Sequence, residues 1–163
     1  MRKVTVHYLF SKNKKIGSRA IAWGTKHRNE TKIETPSHIA LLINNKWVFE
    51  STLETGIRII GYNEWKTINT EVAKICDNNT HDYSEIKEMF KELKNKKYDW
   101  CGVLFLTLCL IPNKLFGTKM PKDNKFAQDH KYFCCEVIGK LLDVDYDMKC
   151  PIDIMNDLKG RIL

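Results

Sequence analysis

An α+β domain is the architecture this sequence predicts, with strands in the first half and helices in the second. Two observations carry the expectation. Val4 to Phe10 (VTVHYLF) alternates apolar and polar residues with period two, and Ser37 to Ser51 reads as two strand-forming runs around Asn44–Asn45–Lys46. Tyr83 to Asn95 instead places Ile86, Met89, Phe90 and Leu93 at i, i+3, i+4 and i+7, with Lys and Glu elsewhere, which is the period of an amphipathic helix. At 163 residues the chain is long enough for one domain with its own core. No repeat or low-complexity tract divides it, so a single domain over residues 1 to 163 is expected.

The elements follow in order. After the first strand, SKNKK is a polar loop. Ile16 to Thr25 (IGSRAIAWGT) is a short helix candidate, with Ile16, Ala20 and Trp23 on one side. Lys26 to Thr35 is loop-like. The hairpin Ser37 to Ser51 follows Pro36. Gly56 turns the chain into a further strand, Ile57 to Ile60. Tyr62 to Lys66 is one helical turn, and Thr67 to Cys76 another strand. Val103 to Ile111 (VLFLTLCLI) is an apolar helix that Pro112 should end. Asn113 to Asp129 reads as a long Lys-rich loop. A helix runs from about Cys134 to Leu142, and Pro151 opens a last one, Ile152 to Leu158.

Composition narrows the function classes. The chain is 43% hydrophobic and 29% charged, with a net charge of +7. Its basic residues are scattered and mixed with Glu, without an interleaved aromatic run, which argues against specific nucleic-acid binding. An anionic surface remains compatible with the charge. The segment MRKVTVHYLF lacks the long apolar core of a secretory signal peptide, so a cytoplasmic location with reduced thiols is expected for the six cysteines. Val103 to Ile111 is too short to span a bilayer. It is read as a buried helix, with contact to a membrane surface as the alternative. There is no CxxC and no Cys/His spacing of a zinc site, so neither a metal nor a cofactor is expected. Oligomeric state is not legible.

The chemistry centres on Cys134 and Cys135. A thiol at a helix N-terminus is favoured as thiolate by the unpaired N–H groups and the helix dipole. Such a nucleophile needs a base, and the base needs an orienting group. His38 opens an otherwise apolar strand and is the candidate base; His130, four residues before Cys134, is a rival. Glu50 ends the following strand and is the candidate orienter; Glu54 competes. Hairpin register decides the first pair. A two-residue turn at Asn44–Asn45 would pair Ile43 with Lys46 and put Glu50 on the wrong face. A three-residue loop, Asn44 to Lys46, pairs Ile43 with Trp47 and sets Glu50 diagonal to His38 on one face, within about 7–8 Å. Helical spacing does not choose the nucleophile. Cys134 shares a stripe with Val137, Ile138 and Leu141, and Cys135 one with Ile138 and Leu142.

The set SHIALLI, VFES, GIRI, KKYDW, YFCCEVIGKLL and CPIDI resembles the circularly permuted branch of the NlpC-type papain-like superfamily. That branch includes YiiX-like bacterial and viral proteins and, more distantly, the lecithin:retinol acyltransferase-like enzymes. The resemblance rests on Ser37-His38, Glu50-Ser51 and Cys134-Cys135-Glu136 in that order. It implies a permuted papain-like fold, an antiparallel sheet or partial barrel packed on helices that include the cysteine helix. It implies a Cys134–His38–Glu50 triad, because a triad is defined by geometry rather than chain order. Cys135 then stands where the family usually has Ser, a departure from its pattern. Tyr98 of KKYDW is the implied oxyanion donor. The implied activity is a cysteine hydrolase, thiol-peptidase-like, cleaving an amide such as a peptidoglycan peptide through a thioester. The alternatives are a lipid acyltransferase or acyl-lipid hydrolase with the same intermediate, and a non-catalytic binding or virion-structural module. Virion association is compatible with the viral branch.

Overall fold

Hydrophobic patterning sets the fold through one sheet that is covered on both faces. In the computed structural model residues 3–30, 33–128, 130–143, 146 and 148–158 are described, with Ile16, Gly17 and Leu142 by backbone alone. The elements are β1 (Lys3–Val4), β2 (Val6–Lys12), α1 (Ile16–Thr25), a 3-10 turn (Lys26–Arg28), β3 (His38–Ile43), β4 (Trp47–Thr52) and β5 (Gly56–Gly61). They continue with α2 (Tyr62–Ile68), β6 (Thr70–Cys76), β7 (His81–Asp82), α3 (Tyr83–Leu93), α4 (Trp100–Phe116), α5 (Cys134–Leu142) and α6 (Pro151–Asp157). The architecture is α+β. Five strands form an antiparallel sheet in the order β5-β4-β3-β2-β6, and β1 pairs separately with β7.

The central strands are apolar on both sides because both sides are covered. Tyr8, Phe10, Ile39, Leu41 and Phe49 face the main core with residues of α3 to α6, among them Val103, Leu106, Val137, Ile138 and Met155. Leu9, Ala40, Leu42 and Val48 face a smaller core closed by Trp65 of α2. Each fully buried large side chain stabilises such a core by roughly 1.5–3 kcal/mol. The hairpin has the three-residue loop: Ile43 pairs with Trp47, Leu42 with Val48 and Leu41 with Phe49. Asn44 and Asn45 adopt positive φ of 51° and 53°, which Asn tolerates better than most residues.

Helix ends follow their local chemistry. Asp82 and Glu85 form a capping box at α3. Asp99 is fully buried and accepts the Gly102 N–H at 2.9 Å, starting α4. Glu136 accepts the Phe133 N–H at 2.7 Å, and Asp153 the Cys150 N–H at 2.8 Å.

Two expectations are corrected. Pro112 does not end α4, which continues to Phe116. The stop is Gly117, at φ 66°, whose N–H bonds the Asn113 carbonyl. Pro112 removes the bond to the Leu108 carbonyl, but Leu108 is exposed, so water can satisfy that group. The second correction is that Thr67 and Ile68 belong to α2 rather than to the following strand. Of the two cysteine stripes, the Leu142 side chain lies outside the described set, as does Ile16 on α1. The ends of the expected domain, residues 1–2 and 159–163, also lie outside it.

Gly56 holds the sheet against the segment that carries Tyr98. Its φ is 66°, and an added Cβ would lie 2.7 Å from the Lys96 carbonyl oxygen. Gly56→Ala should therefore destabilise the fold by about 1–3 kcal/mol, read as a lower urea midpoint at unchanged slope. An unchanged midpoint would show that the close approach is not rigid.

Candidate functional site

The site forms where the first residue of β3 meets the first residue of α5. Strand alternation puts His38 on the same face as Ala40 and Leu42, and Glu50 on the face of Val48. In the observed register the imidazole Nε2–H donates to Glu50 Oε2 at 2.8 Å. Nδ1 is left for the other side of the ring, where the Cys134 sulfur makes a hydrogen bond to His38. The backbone N–H of Ile39 donates to the same sulfur. Thus sulfur, imidazole and carboxylate stand in sequence, with the base oriented from behind.

Sequence reasoning missed what holds Glu50. Its side chain is 1% exposed as a residue, and an isolated charge there would be costly. Arg58 donates from Nε and Nη2 to Oε1 at 2.9 and 2.6 Å. Trp65 Nε1–H donates to Oε2 at 3.0 Å. Arg58 lies directly opposite Glu50 in the β4–β5 ladder. Counting back from a short turn at Leu53–Thr55 would have found it, because that turn pairs Thr52 with Gly56. Trp65 had no such signal, since its place depends on how α2 folds back over the sheet.

The cysteine helix is tied to the same strands. Ser51, adjacent to Glu50, donates from its hydroxyl to the Tyr132 carbonyl at 2.6 Å. Tyr132 N–H bonds the Lys97 carbonyl at 3.0 Å. The Lys97–Tyr98 stretch therefore lies beside the entry to α5. Tyr98 lines a cleft of about 190 Å³ together with His38, Glu50, Arg58, Ile68 and Trp100. Cys134 is 6% exposed, and the cleft lining includes His38 rather than the sulfur itself.

Electrostatics separates the two thiols. The Cys135 thiol donates to the Cys134 sulfur, and this, with His38 and the Ile39 N–H, outweighs burial and holds Cys134 well below the usual thiol value. Cys135 is 0% exposed, and burial together with the Cys134 charge pushes its thiol up. Burial opposes charge on His38, yet the bonds to Cys134 and Glu50 raise its pKa to about 10. For Glu50 burial is likewise outweighed, chiefly by His38 and then Arg58, and its pKa falls to about 2. Burial and the Cys134 charge hold the Tyr98 hydroxyl well above its usual value, so it remains a donor. These directions favour a thiolate and an imidazolium that titrate as a unit.

The rival residues are engaged elsewhere. Glu54 pairs with Lys15. His130 is exposed at φ 76° and its Nδ1 accepts from Lys96 at 3.2 Å. His81 and Tyr8 both bond Asp77, at 2.8 and 2.6 Å, a buried polar tie, and the nearby Cys76 thiol is directed to the Asp77 carbonyl at 3.6 Å. Among the described residues no group of three His, Cys, Asp or Glu side chains could hold a metal ion.

Two pH effects follow. Alkylation by iodoacetamide at low dose should concentrate on Cys134 and persist on acidification below the ordinary thiol range, because a lowered pKa keeps the thiolate. Labelling that rises only near pH 9, as for an ordinary thiol, would contradict this. A depressed carboxylate pKa contributes stability above its unfolded value and loses it as pH falls through the folded one. Glu50 should thus stabilise above about pH 4.5 and lose that contribution toward about pH 2. Glu50→Gln should flatten this acid limb in thermal melts; an unchanged limb would remove Glu50 as its source.

No protein-family model matches this chain, and no curated protein or solved structure matches it either.

Proposed function

We propose that the protein is a cysteine-dependent acyl-transfer hydrolase on a permuted papain-like fold, acting on an amide through a Cys134–His38–Glu50 triad. The observation that carries the reading is the His38–Glu50 hydrogen bond, with the carboxylate fixed by Arg58 and Trp65 and the Cys134 thiol held low by His38 beside it. A buried ion pair of this kind suits covalent catalysis better than packing, since structural thiols need no charge.

The steps follow from the charge states. The Cys134 thiolate adds to the substrate carbonyl carbon, and the carbonyl π pair moves to oxygen. The backbone N–H of Cys134 and the Tyr98 hydroxyl are the donors assigned to that oxyanion. The intermediate collapses, the C–N bond breaks, and His38 imidazolium gives its proton to the leaving amine. The acyl group is now a thioester on Cys134. Neutral His38 takes a proton from water as it attacks, and collapse releases the carboxylic acid and the thiolate. Glu50 keeps Nε2–H fixed throughout, so Nδ1 always faces the sulfur.

A lipid acyl group is the second reading of the same thioester chemistry. Leu53, Ile68, Trp100 and Val103 on the cleft wall favour it, because an acyl chain needs such a lining. A peptidoglycan peptide fits the amide reading, with the polar Asn13, Ser18 and Ser37 also lining the cleft.

A panel of peptidoglycan peptides and acyl lipids tests this directly. Cys134→Ala should abolish turnover and His38→Ala should lower it to a similar floor, a loss of about 10³-fold or more. Glu50→Gln should cost about 10²–10⁴-fold with the fold intact. Cys135→Ser should retain most activity. Full turnover in Cys134→Ala, or its loss in Cys135→Ser with Cys134 still alkylated, would overturn the assignment.

A further inference from the structure

Helix α4 is apolar on two opposite sides, and only one of them is buried. Gly102, Val103, Leu106 and Leu110 face the core. At 100° per residue, Trp100, Leu104, Leu108, Ile111 and Leu115 fall within about an 80° arc on the other side. All five are exposed, Trp100 at 52% and Leu108 at 57%, and Phe116 beyond them reaches 78%. Such a stripe runs about 22 Å along the helix. Exposed Phe126 packs on Phe105 at 5.1 Å and Trp23 of α1 lies beside α4, so the patch widens at its flanks. A contiguous apolar surface of this size marks an interaction site.

Charge indicates what covers it. Residues 16–28 and 100–128 form α1, its following turn, α4 and the segment after it. They hold seven Lys and Arg against a single carboxylate, Asp123. Elsewhere in the chain basic and acidic residues are nearly balanced. Arg19, Lys26, Lys119, Lys122 and Lys125 of these segments are exposed. An apolar stripe with Trp at one end and Phe at the other, flanked in sequence by segments rich in exposed cations, matches the headgroup boundary of an anionic bilayer. No helix among the described residues is long and apolar enough to cross a membrane, so the helix would lie in the interface.

We propose that the outward stripe of α4 docks this protein on an anionic lipid surface. Trp100 belongs both to the stripe and to the wall of the His38 cleft. Docking therefore brings the cleft to the bilayer, where an acyl chain or lipid-linked amide is presented. The link to substrate rests on the acyl-transfer reading above; the docking itself does not.

Flotation of the full chain with vesicles separates the two. Vesicles of phosphatidylcholine with about 30% phosphatidylglycerol should carry the protein up, and pure phosphatidylcholine should carry much less. Leu104→Glu with Leu108→Glu should reduce binding about tenfold or more, since both side chains are solvent-exposed and their loss leaves the core unchanged. A circular-dichroism melt checks that the double variant is folded, and Lys122→Glu with Lys125→Glu tests the flanking cations if it is not. Cys134→Ala should float like the parent, so a failed triad assignment leaves this result intact. Brominated lipid should quench tryptophan emission in the parent, and less in Trp100→Phe. Absence of binding to anionic vesicles would overturn the proposal. So would binding indifferent to all these substitutions, or sedimentation showing a dimer that Leu104→Glu with Leu108→Glu disrupts.

Discussion

A carboxylate inside a β-sheet sets the terms for everything around it. Glu50 is almost fully buried, and burial alone would drive it neutral. Four donor contacts keep it charged: His38, two nitrogens of Arg58, and the Trp65 indole. Those donors come from β3, β5 and α2, so the charge fixes the relation of three elements. Removing any single donor leaves part of a buried charge unpaired, which costs more than the bond itself contributes. The same carboxylate transmits its charge outward. It stabilises imidazolium at His38, and imidazolium stabilises thiolate at Cys134.

The cysteine helix adds the rest of that arrangement. Ser51 anchors the chain one residue before Phe133, while Glu136 caps the backbone at the helix start. Cys134 is thereby placed at a helix N-terminus, beside a proton donor, with the N–H of Ile39 on its sulfur. Cys135 is fully buried in the core, and its thiol helps hold its neighbour's pKa down.

Part of this was legible in sequence and part was not. The α+β class followed from the two hydrophobic periods. His38 and Glu50 stood out as polar residues in apolar strands, and counting residues across Asn44–Lys46 tied their encounter to one register, the one observed. Choosing Cys134 over Cys135 was beyond helix geometry, because both share stripes with core residues; what favours Cys134 is that its surroundings lower its thiol pKa while those of Cys135 raise it. Arg58 was hidden behind the β4–β5 register, and Trp65 behind the packing of α2. Helix α4 misled in a different way. A segment apolar all round reads as buried, and Pro112 reads as its end. The chain instead leaves one face uncovered and carries the helix past the proline to Gly117.

The central claim is that Cys134 and His38 form an ion pair sustained by Glu50. Nitrogen-15 NMR titration of the His38 ring measures it without any substrate. The ring is expected to remain imidazolium well above the ordinary histidine range and to titrate near pH 10, with a clear downward shift in Cys134→Ala. A ring that titrates near its ordinary value of 6.5, or one indifferent to loss of the Cys134 sulfur, would contradict it.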